Sequence, residues 1–326
     1  MTRRKIVVTD RAQLLVPEAL QLMRDAGHEV VIAQELNEQD PVAVAKDADA
    51  LYVIWQPMPR EELSRLEKCR VLMRLGVGYE IIDANAARDL GIAVCNVPDY
   101  CTNEVADHAF SMALALAREL VFLDKTVRGG TWIPELPYKM PAFETLTFGT
   151  LGFGRIAQAV LRRAAASEFS VIAYDPFLPD EAFVRAGVRR VTLDELFAQV
   201  DILSIHAPLT DETRHVVNAE RLKGMKPNAI IVNTARGGLI DTVALAEAVQ
   251  NRTIAAAGID VFEKEPPPAD HPILHCPNVL VTPHWAWHSQ QSEPRLHIKG
   301  AEVIVNALRG EPMTSCVNGF TRLEGI

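Results

Sequence analysis

Three polar residues in the second half of the chain could together assist the hydride reduction of a carbonyl group that stands next to a carboxylate: Arg236, Glu265 and His284. A guanidinium can hold a carboxylate through two hydrogen bonds, polarise the neighbouring carbonyl, and keep its charge at physiological pH. A histidine can donate or accept a proton near neutral pH, and a carboxylate bonded to its ring favours the protonated form and fixes its orientation. Hydride reduction of a 2-oxo acid requires these groups.

Each of these residues also has an ordinary structural explanation. Arg236 could lie on a solvated face of a loop that leads into a helix, and Glu265 could be an exposed acid before the three prolines at 266–268. His284 could be a hydrogen-bonded polar residue beside Trp285 and Trp287. Spacing along the chain does not show that the three side chains meet.

Residues 152–157 contain a glycine pattern, GxGxxA, that is typical of dinucleotide-binding turns. Gly152 permits a tight turn, Gly154 lets a pyrophosphate approach the backbone, and Ala157 is small enough for a helix to pack on a strand. The free N–H groups at the start of the following helix can bind phosphate. Asp175 ends the next strand, where it would bind the adenosine ribose and repel a 2′-phosphate, and no arginine follows it directly. The sequence therefore predicts NAD rather than NADP.

The secondary-structure elements that position the catalytic and cofactor-binding residues can be recognised from the sequence. Short apolar runs alternate with helical patterns, and this alternation indicates α/β domains with doubly wound parallel sheets. We expect a flavodoxin-like substrate domain, residues 1–102 plus 291–326, and a Rossmann NAD-binding domain, residues 103–290. The expected helices cover residues 16–26, 60–68, 103–127, 156–166 and 291–308. The expected strands are residues 6–8, 30–32, 50–54, 71–75 and 92–94, then 148–151, 171–174, 202–205, 229–232, 256–260 and 279–281.

Three strand ends of the second predicted sheet carry small or polar residues. Taken singly, each could be a loop or a helix cap, but together they follow one edge of the sheet, and ligands bind at the carboxyl ends of parallel strands. These residues are His206, Ala207 and Pro208, then Thr234 and Ala235, then Asp260.

The composition restricts the partners that we expect. A formal net charge of −9 argues against a nucleic-acid or anionic membrane partner, although a local basic pocket could bind a small anion. The five cysteines form no CxxC pair and are typical of reduced thiols. The apolar run at residues 6–8 is too short for a signal peptide, so we expect a cytoplasmic protein. We assign no metal ligands.

Four segments taken together resemble the D-isomer-specific 2-hydroxyacid dehydrogenases: residues 152–156, 232–241, 258–266 and 282–287. The resemblance extends over essentially the whole chain, and it implies that Arg236, Glu265 and His284 are the catalytic residues. It also implies a homodimer built on the helix at 103–127, and a loop whose N–H groups hold the substrate carboxylate, formed by Gly76, Val77 and Gly78. The cofactor contacts that it implies include Arg155, Ile156, Thr213, Thr234, Ala235, Asp260 and Ala286.

Within this family, some details are most similar to the C-terminal-binding-protein branch. They are Arg74, Trp287 and the ending at residues 315–320. This similarity implies that Arg74 and Trp287 contact the 2-oxo acid, whereas Trp287 could instead be a core residue, and Val77 stands where that branch has serine. Two functions remain open: a 2-oxo acid reductase, and a dinucleotide-sensing interaction protein with secondary catalysis. The lack of a long disordered tail and of a basic localisation run favours the enzyme.

Overall fold

A computed structural model describes residues 2–11, 15–136 and 140–325, and the chain divides into two compact units. The first unit combines Met1–Cys101 with His288–Ile326, and the second is Thr102–Trp287. The chain therefore leaves the first unit once and returns to it. Residues 137–139, part of the proline- and aromatic-rich loop that begins at Trp132, lie outside the described residues.

The first unit contains a five-stranded parallel sheet in the order β2-β1-β3-β4-β5. Its central strands are apolar on both faces, as in β3, where all four residues are buried, so helices must cover both faces. The strands are β1 (Lys5–Val8), β2 (Glu29–Ile32), β3 (Ala50–Val53), β4 (Val71–Arg74) and β5 (Ala93–Cys95); the helices are α1 (Pro17–Asp25), α2 (Ala33–Leu36), α3 (Pro41–Val44), α4 (Arg60–Leu63) and α5 (Ala84–Asp89).

The second unit contains a seven-stranded parallel sheet in the order β12-β11-β10-β9-β6-β7-β8. The two parallel-sheet α/β domains that the sequence predicts are thus confirmed, and the chain order reverses beside β6, where open sheets of this kind bind ligands. The helices are α6 (Thr102–Ala117), α7 (Leu120–Arg128), α8 (Arg155–Ala166), α9 (Asp180–Ala186), α10 (Leu193–Gln199), α11 (Ala219–Lys223) and α12 (Thr242–Gln250); the strands are β6 (Thr147–Leu151), β7 (Ser170–Tyr174), β8 (Arg189–Arg190), β9 (Ile202–Ile205), β10 (Ile230–Asn233), β11 (Ala256–Ile259) and β12 (Val279–Val281).

The helix predicted for residues 103–127 was wrong in one respect, because the structure has two helices there, α6 and α7. Glu119 lies between them in the left-handed region, with φ 53° and ψ 27°, and its N–H donates to Leu116 O at 3.1 Å. Small buried residues such as Ala109 and Ala113 let α6 pack in the core. In contrast, no side chain of α7 is fully buried against the described residues. The bend therefore directs α7 away from the core that holds α6.

Two further differences are local. The helix predicted for residues 60–68 stops at Leu63, and the Ser64 Oγ donates to Arg60 O at 2.7 Å in the turn that follows. Strand β8 could not be predicted, because it has only two residues, Arg189 and Arg190, and both are polar and exposed.

The C-terminal segment belongs to the first unit and begins with α13 (Ser292–Leu308). This helix packs against α1 and β4. Gly300 lets it lie close, since a Cβ there would stand 2.4 Å from Leu75 Cδ2. After α13 the chain runs antiparallel to β5, with Cys316 opposite Cys95. Within the described ranges, no helix has the length and hydropathy needed to cross a membrane.

Candidate active site

The glycine turn after β6 has the geometry that a dinucleotide needs. Gly152 has φ +93°, and a Cβ at this position would stand 2.9 Å from His206 O, so only glycine fits without a shift. Gly154 is the N-cap of α8, and apart from its neighbours along the chain no atom of the described residues lies within 4 Å of where its Cβ would be. Arg155 and Ile156 follow in the first turn of α8, whose N–H groups lack partners inside the helix. The turn therefore leaves room for a phosphate at a helix N-terminus.

Asp175 follows β7 and joins this turn. Its Oδ2 accepts a hydrogen bond from Phe153 N at 2.9 Å, and its Oδ1 accepts one from Phe177 N at 2.9 Å. No arginine is adjacent to Asp175 in the sequence, but Arg190 is adjacent to it in space. Its Nη2 donates to the backbone carbonyl of Asp175 at 3.0 Å. That guanidinium also pairs with Asp180 at 2.5 Å. Leu178 N also donates to Asp175 Oδ1 at 3.3 Å, so three backbone N–H groups hold the carboxylate of Asp175 at the turn.

Two polar side chains on neighbouring strand ends fit a bound dinucleotide. Thr234 is buried, and its Oγ1 has no hydrogen-bond partner among the described residues, so it can bond to a ligand. Burial lowers the pKa of His206 to about 3, so this histidine stays neutral, and its Nε2 lies 2.8 Å from Ser204 Oγ. Ala207, Pro208 and Thr213 lie in the loop after β9, in which Thr213 Oγ1 donates to Pro208 O at 2.7 Å. With the glycine turn and Asp175, these residues fit NAD.

Glu265 and His284, which are 19 residues apart in sequence, meet in the second unit. His284 Nδ1 lies 2.7 Å from Glu265 Oε2, and Phe262 N donates to Glu265 Oε1 at 2.9 Å. Burial by itself would raise the pKa of Glu265, but the hydrogen bonds from His284 and Phe262 and the charges of His284 and Arg236 together lower this pKa below its ordinary value. Glu265 is therefore an ionised partner for the imidazole, and Nε2 is the ring nitrogen that a substrate can use.

Arg236 lies after β10 in a turn that reaches the segment before Glu265. Its Nη1 donates to Ala235 O at 2.6 Å, and its own carbonyl accepts from Asn233 Nδ2 at 2.9 Å. A Cβ on Gly237 would stand 1.9 Å from the carbonyl carbon of Phe262, so the two backbones touch at this glycine. The sequence analysis missed Gly237, although its position directly after Arg236 was a usable signal.

Asp260 holds the loop that carries His284. Its backbone carbonyl accepts from His284 N at 2.7 Å, and its carboxylate accepts from Trp285 N at 2.9 Å and from Ala286 N at 3.1 Å. His284 itself has φ +54°, which is unfavourable for a residue with a side chain and must be maintained by such contacts. The family resemblance implies that Asp260 contacts the cofactor. In the structure, its hydrogen bonds hold the loop at residues 284–286.

The residues predicted to contact the substrate, besides the catalytic ones, lie in two places. In the first unit, Gly76 has φ +148° in the loop after β4, and a Cβ there would stand 1.3 Å from Arg74 Nη1. Asn96, which the sequence analysis missed, donates from Nδ2 to Val77 O at 2.6 Å, and Gly78 completes the loop. In the second unit, the ring of Trp287 stacks on Trp285 with centroids 6.5 Å apart.

Comparisons with known proteins agree with this geometry. Residues 110–286 match the family described as D-isomer specific 2-hydroxyacid dehydrogenase, NAD binding domain. The chain is 39% identical over 316 residues to a D-3-phosphoglycerate dehydrogenase of Methanocaldococcus jannaschii, which covers 96% of this chain and 59% of that protein. It is 38% identical over 277 residues to a glyoxylate reductase of Korarchaeum cryptofilum, which covers 84% of this chain and 83% of that protein.

A solved structure is similar to this chain over nearly its whole length. The D-lactate dehydrogenase from Aquifex aeolicus, complexed with NAD and lactic acid, superposes with a TM-score of 0.86 at 27% identity, over 97% of this chain and 100% of that one. The chain spans 59% and 58% of the length of the two D-3-phosphoglycerate dehydrogenases that it matches.

Proposed function

The chain belongs to the D-isomer specific 2-hydroxyacid dehydrogenase family, and on this premise we propose that it transfers a hydride between NAD(H) and a small 2-oxo or D-2-hydroxy acid. The observation that supports this most strongly is the 2.7 Å contact between His284 and Glu265, with the charge of Arg236 acting on the same carboxylate. These groups follow strands of the sheet that also carries the glycine turn, at its carboxyl edge.

The chemistry divides among these residues as follows. NADH, when bound, supplies the hydride that reduces the carbonyl carbon. Arg236 pairs with the carboxylate of the 2-oxo acid and polarises the adjacent carbonyl. Protonated His284 gives a proton to the carbonyl oxygen as negative charge develops there, and Glu265 stabilises and orients the imidazolium. In the oxidation direction, neutral His284 accepts the proton of the hydroxyl group.

Substrate recognition by the first unit is also proposed. Arg74 and the N–H groups of the loop at residues 76–78, all in the first unit, are the groups that we propose contact the oxygens of the substrate. The hydrogen bond from Asn96 to Val77 O supports this role, because it fixes the orientation of a peptide in that loop. Arg74 and Trp287 also carry the proposed placement in the C-terminal-binding-protein-like branch, in which an indole would favour a substrate with apolar bulk. The relatives named above act, by their names, on 3-phosphoglycerate and glyoxylate.

On the same premise we propose a role for each unit, a homodimeric assembly and a cytoplasmic location. We propose that the first unit is the substrate domain and that the second is the NAD-binding domain, which also carries the catalytic residues, with boundaries near the expected residues 102 and 290. Leu120 and Val127 of α7 and the following Trp132 and Ile133 are exposed, the last two by 82% and 87%, and such an apolar surface supports a homodimer. The free cysteines are compatible with a reducing cytoplasm.

A substrate panel tests the activity. Purified protein is mixed with NADH and glyoxylate, hydroxypyruvate, 3-phosphohydroxypyruvate or a methionine-like 2-oxo acid, and the loss of NADH absorbance is followed. We expect turnover with at least one of these acids, and far less with acetaldehyde, which lacks the carboxylate that Arg236 binds. Acetaldehyde reduction at an equal rate would contradict the proposed role of Arg236. Tight NADH binding without turnover of any acid would favour the dinucleotide-sensing protein.

A further inference from the structure

Two cysteines of the first unit face each other at the edge of its sheet. Cys95 is the last residue of β5, an edge strand, and Cys316 lies directly opposite it in the antiparallel C-terminal segment. Beside them, Val317 N donates to Val94 O at 2.8 Å and Asn96 N donates to Ser315 O at 3.2 Å. The hydrogen bonds thus flank the cysteine pair instead of joining its members.

This pattern defines a non-hydrogen-bonded pair of an antiparallel ladder. The two Cα atoms of such a pair are about 4.5 Å apart, which is within the range of roughly 4.4–6.8 Å that a disulfide spans. The backbone therefore places the two Cα atoms at a separation that a disulfide can span without a rearrangement of the strands.

The side chain of Asn318 holds the C-terminal segment in this register. Its Oδ1 accepts from Val94 N at 2.9 Å, and its Nδ2 donates to Ile92 O at 2.9 Å. Asn318 Oδ1 also lies 3.2 Å from Cys316 Sγ. Residues 315–320, whose sequence resembles that of a family branch, thus include the side chain that holds Cys316 opposite Cys95.

The two thiols differ in accessibility and acidity, as an attacking and a resolving cysteine do. Cys95 is fully buried, whereas Cys316 is partly exposed. The hydrogen bond from Cys95 lowers the pKa of Cys316 to about 6, although burial opposes this, and backbone hydrogen bonds at Asn318 and Phe320 contribute. The same contact with Cys316, together with burial, raises the pKa of Cys95. The thiolate of Cys316 is consequently the nucleophile.

We infer that Cys95 and Cys316 form a thiol–disulfide exchange site, which low-molecular-weight disulfides oxidise to a bond that fastens the C-terminal segment to β5. The Cys316 thiolate attacks one sulfur of the small disulfide and releases one thiolate. Cys95 then loses its proton and attacks Cys316 Sγ, and a second small thiolate leaves. One small disulfide is reduced to two thiols while two protein thiols are oxidised to one disulfide. The charge next to Cys95 disappears after the first step, which favours the second.

The experiment uses the full chain and glutathione. Reduced protein is equilibrated with mixtures of glutathione and oxidised glutathione and quenched in acid, the remaining thiols are alkylated, and the peptides are identified by mass spectrometry. We expect two of the five cysteines to escape alkylation in the oxidising mixtures and one cross-linked pair of peptides that contains Cys95 and Cys316. Dithiothreitol should remove this pair.

Single substitutions separate the two steps. Cys95→Ser should stop at a mixed disulfide of Cys316 with glutathione, and Cys316→Ser should show neither a cross-link nor glutathione on Cys95. Cys276→Ala, which removes a buried thiol of the second unit, is the matched control and should retain the cross-link. Native protein that carries glutathione on Cys316 without a bond to Cys95, or that keeps all five thiols free, would overturn the inference.

Discussion

Single residues in the second unit orient the imidazole of His284 from two sides. Glu265 contacts its Nδ1, while Asp260 accepts its backbone N–H and thereby holds a residue whose φ is +54°. An acid–base group must keep its position while charge develops on the substrate, since a small displacement reduces the rate of proton transfer. The unfavourable backbone of His284 is thus stabilised by the backbone carbonyl of Asp260, and the buried carboxylate of the same residue holds the two residues that follow His284.

Asp175 provides a test of cofactor choice at the same scale. Asp175→Asn removes the negative charge and keeps an oxygen that can accept from Phe153 N. Because a 2′-phosphate would no longer be repelled, and Arg190 stands beside this residue, we expect the preference for NADH over NADPH to fall by about tenfold or more, which is roughly 1.4 kcal/mol. The ratio of the two kcat/KM values measures this. Asp194→Asn, at an exposed site, is the control, and an unchanged ratio in Asp175→Asn would contradict the ribose role.

At the scale of elements, strand ends and tight turns bring the site together. Arg236 follows β10 and His284 follows β12, while Glu265 lies in the loop after β11, so three neighbouring strands supply the three groups. Contact between the loop after β10 and the loop after β11 depends on Gly237, which has no side chain to separate them. The geometry of the site is therefore sensitive to a single methyl group that touches no substrate.

Gly237→Ala tests this contact. The new Cβ would lie 1.9 Å from the backbone of Phe262, so the turn that carries Arg236 must shift. We expect a loss of about 1–3 kcal/mol in the free energy of unfolding, measured in urea, together with a fall in kcat/KM. Gly224→Ala is the control, because its Cβ would stand 3.4 Å from the nearest atom, Arg221 O, and both quantities should change little. Native values for Gly237→Ala would show that the contact is not needed.

The strands were the most predictable elements, and each predicted strand begins and ends within one residue of the observed one. Buried parallel strands are continuous apolar runs, which can be recognised without knowledge of their partners. The bend at Glu119 could not be predicted in this way, since neither glycine nor proline marks it. An arginine, a carboxylate and a histidine could be predicted for the site, because hydride reduction of a 2-oxo acid requires these groups. The supporting roles of Asp260, Gly237 and Asn96 could not, because they depend on contacts between distant segments.

For the whole molecule, three histidines whose pKa values are lowered by burial contribute to the dependence of stability on pH. Burial lowers the pKa of His206 to about 3 and that of His297 to about 4. Burial, with the charge of Arg309, also lowers the pKa of His28. The unfolded chain protonates its histidines near pH 6.5, before the folded chain does. Stability from these residues is therefore complete above about pH 6.5 and is lost as the pH falls from there towards 4.

His297 allows this dependence to be measured. Its shift corresponds to about 2 kcal/mol of stability lost between pH 7 and pH 5. In His297→Asn, which keeps a polar atom near Tyr52 OH, we expect that loss in the free energy of unfolding in urea to shrink by about this amount. His275→Asn, at an exposed histidine, should leave the dependence unchanged. An equal dependence in His297→Asn and in the native chain would contradict the assignment.

The most direct test of the account is the rate of hydride transfer in His284→Ala, measured in a single turnover with bound NADH and the best 2-oxo acid of the panel. We predict a rate that is lower by roughly 10²–10⁴-fold, with NADH affinity nearly unchanged, because the proton donor is lost and the glycine turn is intact. His275→Ala should behave like the native protein. A native rate in His284→Ala would contradict the claim that His284 transfers the proton.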